Sequence, residues 1–244
     1  WFIIATLVAF FIKGLCGFAN TLIFNGILSY TANNINISPL EVVLGYPSNI
    51  ILVWKERKSL NWKIWLPLTA LVVAGSIPGI FLLKHTDAGL LKVIFGIAVI
   101  VIGVEMLFRE MKSNRESSNR KPGGSKLVLV LIGIISGLLC GLYGVGALLA
   151  AYVSRVAENS HEFKANICVV FVVENTIRII LYVATGILTL SVLKQVVILI
   201  PFMLAAVFLG MKSSSVLNEK IIKKIVIILL ILSGIVLIIN NIPG

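Results

Sequence analysis

The chain alternates long apolar runs with short polar connections, and their spacing predicts helices that cross a membrane. Residues 2 to 31 form one apolar run, broken by "GLCGFANTL" at 14 to 22, and the polar stretch "TANNINIS" follows as a turn. A run from Pro39 to Trp54, interrupted by Pro47, precedes the basic stretch "KERKSLNWK". The next runs cover Ile64 to Leu83, with Pro67 and Pro78, and Gly89 to Phe108. After "REMKSNRESSNRKPGGSK" at 109 to 126 the plan repeats: Leu127 to Val153, broken by "GLYGVGALL" at 141 to 149, then Phe163 to Ala184, Leu188 to Leu209 and Ile221 to Ile239. An α-helix needs roughly 20 residues to cross ~30 Å of hydrocarbon, whereas barrel strands are about half as long and alternate in polarity. The expected fold class is all-α and polytopic.

The two glycine clusters invite comparison of the halves. An offset of 127 that aligns them also sets Pro47, Ser48 and Asn49 opposite Glu174, Asn175 and Thr176; a shift of four residues then pairs Gly79 with Gly210 and Lys92 with Lys223. This reads as an internal duplication within one integral membrane domain: a first transmembrane repeat at 1–108, a cytoplasmic linker at 109–126 and a second repeat at 127–244. Charge chooses the topology. If every run crosses once, the lysine-bearing loop at 211–224 and the basic linker fall on opposite sides, against the tendency of Lys and Arg to stay inside. If each glycine-broken run is a re-entrant hairpin, residues 55–63, the linker, 154–164 and 211–224 all become cytoplasmic, and "TANNINIS", "ATGILTL" and "NNIPG" become external. Only Lys84 and His85 depart from this. Three spans plus a hairpin per half make the repeats inverted.

Composition agrees with the pattern: 59% of the 244 residues are hydrophobic, 13% are charged, and the mean hydropathy is +1.06. The net charge of +11 lies mainly in the short connections, which argues for membrane orientation and against a nucleic-acid partner. Cys16, Cys140 and Cys168 fall inside apolar runs without CxxC spacing and read as small packing residues, not as disulfide or metal ligands. The opening at Trp1, with no basic segment before the first run, reads as a membrane segment and not a cleaved signal peptide.

With "GLCGFANTL" and "GLYGVGALL" opening the two repeats, "YPSN" and "VENT" following, and the small-residue turns "AGSIPGIFL" and "AAVFLGM" after them, the sequence resembles the TauE/SafE family of bacterial membrane transporters, the sulfite exporters. The resemblance covers nearly the whole chain. In place of the family's usual GxGGG run and following proline, the copies here read "GFANTLIFNG" and "GVGALLAAY". The resemblance implies a multi-pass protein of the bacterial cytoplasmic membrane that exports sulfite, an organosulfonate or a related organosulfur acid.

A small anion in a membrane cavity needs donors and positive charge, which helix N-termini at a break supply. Gly14, Gly17, Gly141, Gly144 and Gly146 would let a ligand approach such groups, or simply let helices pack closely. Glu174 and Arg178 lie mid-run at i, i+4, where ionisable groups face a cavity or each other. In the functional reading Arg178 attracts the anion and Glu174 balances charge or carries a coupling proton; in the structural one they pair. Lys13 precedes the first cluster and suits either cavity charge balance or snorkelling to an interface. Asn20, Thr21, Ser48, Asn49, Asn175 and Thr176 offer neutral donors beside the breaks, or helix caps. Glu105 is expected to be solvated and Lys194 to snorkel.

Signs of enzymatic chemistry are missing. His85 and His161 are placed in loops, there is no HExxH or GxSxG, and "GIISG" at 133–137 has no histidine to activate its serine. No GxxxxGK[ST] loop couples the chain to nucleotide hydrolysis. The expectation is a secondary transporter with no cofactor and no metal, working by alternating access at the repeat interface, with protons or the substrate gradient as the energy source. Its partners are then the anion and the lipid bilayer. An anion channel and a non-transporting scaffold or accessory subunit share the same sequence features. The oligomeric state is not legible.

Overall fold

The computed structural model describes residues 1–28, 34–82 and 146–239, with isolated positions between 93 and 138. The linker, Lys84, His85, Glu105, Cys140, Gly141 and Gly144 lie outside the described residues. Regular structure among the described residues is entirely helical. Among the described residues, three helical segments are long and apolar enough to cross a membrane: Ile37–Ser59, Ser160–Ala184 and Leu190–Val216, of 23, 25 and 27 residues.

The first glycine cluster opens a hairpin. Helices α1 (Phe2–Cys16) and α2 (Asn20–Leu28) fold back on each other about residues 17–19, so that Phe10 meets Phe24 edge to face with ring centroids 6.4 Å apart. At 15 residues α1 rises about 22 Å, short of the ~30 Å hydrocarbon layer.

Helix α3 (Asn34–Glu56) begins five residues before the expected Pro39, so the second half of "TANNINIS" is helical and not a turn. Apolar positions explain the early start: Ile37, Leu40 and Leu44 recur at helical spacing and are fully buried. Pro47 does not interrupt α3; it removes one backbone bond, which packed membrane helices tolerate. A short 3-10 turn (Arg57–Ser59) leads to α4 (Trp62–Leu82), which likewise runs through Pro67 and Pro78.

In the second half α5 (Ala147–Val156), α6 (Ser160–Ala184), α7 (Leu190–Val216) and α8 (Glu219–Ile239) follow. Asn159 caps α6, its Oδ1 accepting the Glu162 N–H at 2.9 Å, while Glu162 Oε2 accepts the Glu158 N–H at 2.6 Å. This cap draws His161 and Lys164, both expected in a loop, into the first turns of α6, and Lys164 is buried there.

Glycine pairs carry the closest crossings. A methyl at Gly14 on α1 would strike the Val207 carbonyl on α7 and lie 3.1 Å from the Gly210 Cα; one at Gly210 would strike the Phe11 carbonyl. A methyl at Gly75 on α4 would strike the Ile134 carbonyl and lie 3.0 Å from the Gly137 Cα, one at Gly137 would strike the Val72 carbonyl of α4, and methyls at Gly96 and at Gly234 of α8 would each lie 2.8 Å from the other's carbonyl. Lipid tails are as apolar as leucine, so such close backbone contact, and not hydrophobic exclusion, holds helices together in a bilayer. Helix α3 packs on α6 and the two run antiparallel: Glu56 Oε2 meets His161 Nδ1 at 2.8 Å at one end, and Ser38 Oγ meets Tyr182 OH at 3.1 Å at the other.

The Glu56 end gathers those described connections that charge assigns to the cytoplasm. Asn61 donates from its backbone to Asn166 Oδ1 at 3.0 Å and from its side chain to Glu162 Oε1 at 2.9 Å, and Lys164 reaches Ser214. Residues 55–61, 158–166 and 211–214 therefore share one end of the bundle.

Candidate functional site

The turn between α1 and α2 is built from two residues with left-handed backbone. Gly17, at φ 88°, caps α1 by donating its N–H to the Lys13 carbonyl at 2.7 Å, and Ala19 has φ 73°. A non-glycine residue there costs roughly 1–2 kcal/mol, so packing must hold Ala19 in place. The consequence is an abrupt start for α2, whose first residues Asn20 and Thr21 line a small cavity of about 20 Å³. That is room for one or two waters.

The α1–α2 turn and Gly146, at the start of α5, both reach this cavity. Its walls are Lys13, the residues 18–22, Glu41 and Asn49 of α3, Gly146, and Phe171 and Asn175 of α6. Gly146 is the N-cap of α5 and contributes no side-chain cap, so a second helix N-terminus opens onto the same space. A methyl on Gly146 would collide with the Phe171 ring.

One polar chain links the lysine to a carboxylate. Lys13 Nζ donates to Asn20 Oδ1 at 3.0 Å and lies 5.9 Å from the centre of the Phe171 ring. Asn20 Nδ2 and Thr21 Oγ1, the latter at 2.8 Å, both donate to Glu41 Oε1. Asn49 stands apart from this chain: it is 0% exposed, and neither its Oδ1 nor its Nδ2 has a hydrogen-bond partner. A buried amide left in that state costs on the order of 1–3 kcal/mol, so its place in the cavity wall needs a reason.

A second network lies one turn along α3. Arg178 donates to Ser38 Oγ at 2.8 Å and to Tyr182 OH at 2.9 Å, and its guanidinium stacks 5.4 Å from the Tyr182 ring. Its Nε is 3.6 Å from Glu174 Oε1, an i, i+4 ion pair. Lys13, Glu41, Glu174 and Arg178 are each 3% exposed or less.

Of the residues singled out in the sequence, Lys13, Asn20, Thr21, Asn49, Gly146 and Asn175 line the cavity. Gly14 packs against Gly210, and Gly17 makes the turn. Ser48 donates to the Gly45 carbonyl of its own helix at 2.6 Å, and Thr176 lies 2.7 Å from the Val172 carbonyl of its own helix and 3.3 Å from the Tyr46 hydroxyl of α3. Glu174 and Arg178 sit in the neighbouring network. Cys16 and Cys168 are buried free thiols. Glu41, Phe171, Ser38 and Tyr182 have no place in the sequence reading, although Glu41 was visible as an ionisable residue between two prolines of an apolar run.

Residues 2–237 match the family described as "Sulfite exporter TauE/SafE". No curated protein and no solved structure matches the chain.

Proposed function

The chain belongs to the TauE/SafE sulfite exporter family, and from that premise we propose that it is a secondary transporter carrying a small anion, such as sulfite, an organosulfonate or a related organosulfur acid, outward across the bacterial cytoplasmic membrane. The observation that carries this reading is the cavity where two helix N-termini, Lys13 and the unpartnered Asn49 converge. Backbone N–H groups and a lysine favour negative charge, and Asn49 keeps a donor and an acceptor free for a ligand. The antiparallel pairing of α3 with α6 and the reciprocal glycine crossings support inverted repeats at 1–108 and 127–244, which would rock about this cavity in alternating access.

Proteoliposomes test the reading. Uptake of labelled sulfite or sulfoacetate should saturate and be accelerated by the same anion trapped inside. Asn49→Leu should weaken binding about 10- to 150-fold, the equivalent of a hydrogen bond to a charged ligand. Flux indifferent to the trapped anion would make the protein a channel, and no flux of any sulfur-containing anion would refute the proposal.

A further inference from the structure

The proposed anion site already holds a negative group of its own. Asn20 and Thr21, the first residues of α2, both donate to Glu41 Oε1, and Asn20 also ties Lys13 into the same chain. These are the groups that would receive the transported anion. Two negative charges cannot share one helix N-terminus and one lysine among side chains this deeply buried without a large desolvation cost. Formal charge points the same way. Lys13 and Arg178 balance Glu41 and Glu174, so an anion entering with all four ionised would leave an uncompensated negative charge among buried side chains.

Resting on the transport reading, we infer that Glu41 is the residue that couples the anion to a proton. Its carboxylate occupies the anion's place before binding. When the anion arrives, Glu41 takes a proton from the aqueous side on which the anion enters, and its hold on Asn20, Thr21 and the α2 N-terminus is released. The anion replaces it there, and the neutral Glu41 carboxyl has become a donor that can face the newcomer. On release the proton leaves with the anion, and Glu41 returns to its own donors. One proton accompanies each anion.

Asn49 is the independent sign that the space receives a ligand, since its two polar atoms are unused at full burial. The groups facing Glu41 are consistent with this role. Helix α1 presents Lys13, α2 the neutral Asn20 and Thr21, and α6 presents Glu174 and Arg178. The titratable residues of α7 are Lys194 and Lys212, both exposed near its ends. The sign follows directly: protonation frees the donors, so anion affinity is highest at low pH and falls as Glu41 ionises. One-for-one exchange lowers apparent affinity about tenfold per pH unit in that range.

Calorimetric titration with methanesulfonate and sulfoacetate, whose charges do not change near neutrality, tests the inference on the whole detergent-purified chain. Runs in two buffers of different ionisation enthalpy count the protons taken up. The wild type should take up about one proton per anion and lose affinity with rising pH. Glu41→Gln should bind with an affinity independent of pH and take up none. Unchanged uptake in Glu41→Gln, or wild-type binding without uptake, overturns the coupling role and leaves the transport reading standing. Failure of the wild type to bind either anion overturns both. Should Glu41→Gln not fold, Glu41→Asp serves instead: the shorter carboxylate must keep the uptake but move the pH at which affinity begins to fall, and an unmoved profile overturns the inference.

Discussion

Replacing Gly14 by alanine probes a close backbone crossing between the two halves. The added methyl would strike the Val207 carbonyl and lie 3.0 Å from the Met211 nitrogen and 3.1 Å from the Gly210 Cα, where 3.4–4 Å is ordinary contact. All three neighbours belong to backbone, so no flexible side chain can yield, and α1 must move away from α7 by about 1 Å before the methyl reaches ordinary contact with the Val207 carbonyl. Overpacking of this kind costs about 1–3 kcal/mol. At roughly 2–4 °C per kcal/mol for a chain of this size, thermal unfolding in detergent should shift down by about 2–12 °C. Gly210→Ala should cost a similar amount, because its methyl strikes the Phe11 carbonyl from the other side. The double variant supplies the sharper reading. Once one methyl has opened the crossing the second finds room, so the combined loss should fall short of the sum by about 0.5–3 kcal/mol. A Gly14→Ala protein within about 0.5 kcal/mol of wild type, or strictly additive losses, would refute the close crossing.

Three further outcomes are expected. Asn49→Leu removes an unsatisfied buried amide, so the variant should unfold at the same temperature as wild type or higher, while stabilisation by added sulfoacetate disappears. Arg178→Gln leaves Glu174 buried without its partner and should cost about 3–5 kcal/mol, whereas Glu174→Gln combined with Arg178→Gln should restore more than half of that in the same unfolding assay. Asn159→Ala deletes the cap of α6 and should cost about 1 kcal/mol, read by thermal unfolding, with anion binding unchanged.

The helices were legible because the apolar runs are long and few polar residues interrupt them; a hydrocarbon layer forces backbone hydrogen bonds to close within each segment, so length and polarity suffice. Their ends were less so. Local polar residues compete at every boundary, as where "TANNINIS" looks like a turn yet Ile37 lies on the buried face of α3. The prolines mislead for a related reason. Pro47 and Pro78 would break a helix in water, but packed neighbours hold α3 and α4 continuous. Close helix pairing through glycine was visible in kind, since Gly14 sits in a small-residue cluster, but its partner Gly210 is almost two hundred residues away and the local pattern carries no pointer to it.

Glu41 shows how a boundary decides a site. A helix begun at Pro39 puts this carboxylate in the first turn, where an acidic residue is commonplace because it complements the helix dipole at the water interface. A helix begun at Asn34 adds five residues, about 7.5 Å of rise, and carries the same side chain past the first turns into the bundle. There it meets Asn20 and Thr21 from a different part of the chain. Glu174 and Arg178 stand out in the sequence because they lie mid-run on any choice of boundary, and they form the neighbouring network beside Ser38 and Tyr182. The carboxylate that reaches the cavity is the one whose depth depends on where its helix starts. In the re-entrant architecture we propose, this follows from geometry: the hairpin tip sets the binding level, and the residue that meets it comes from whichever turn of the next helix lies at that level.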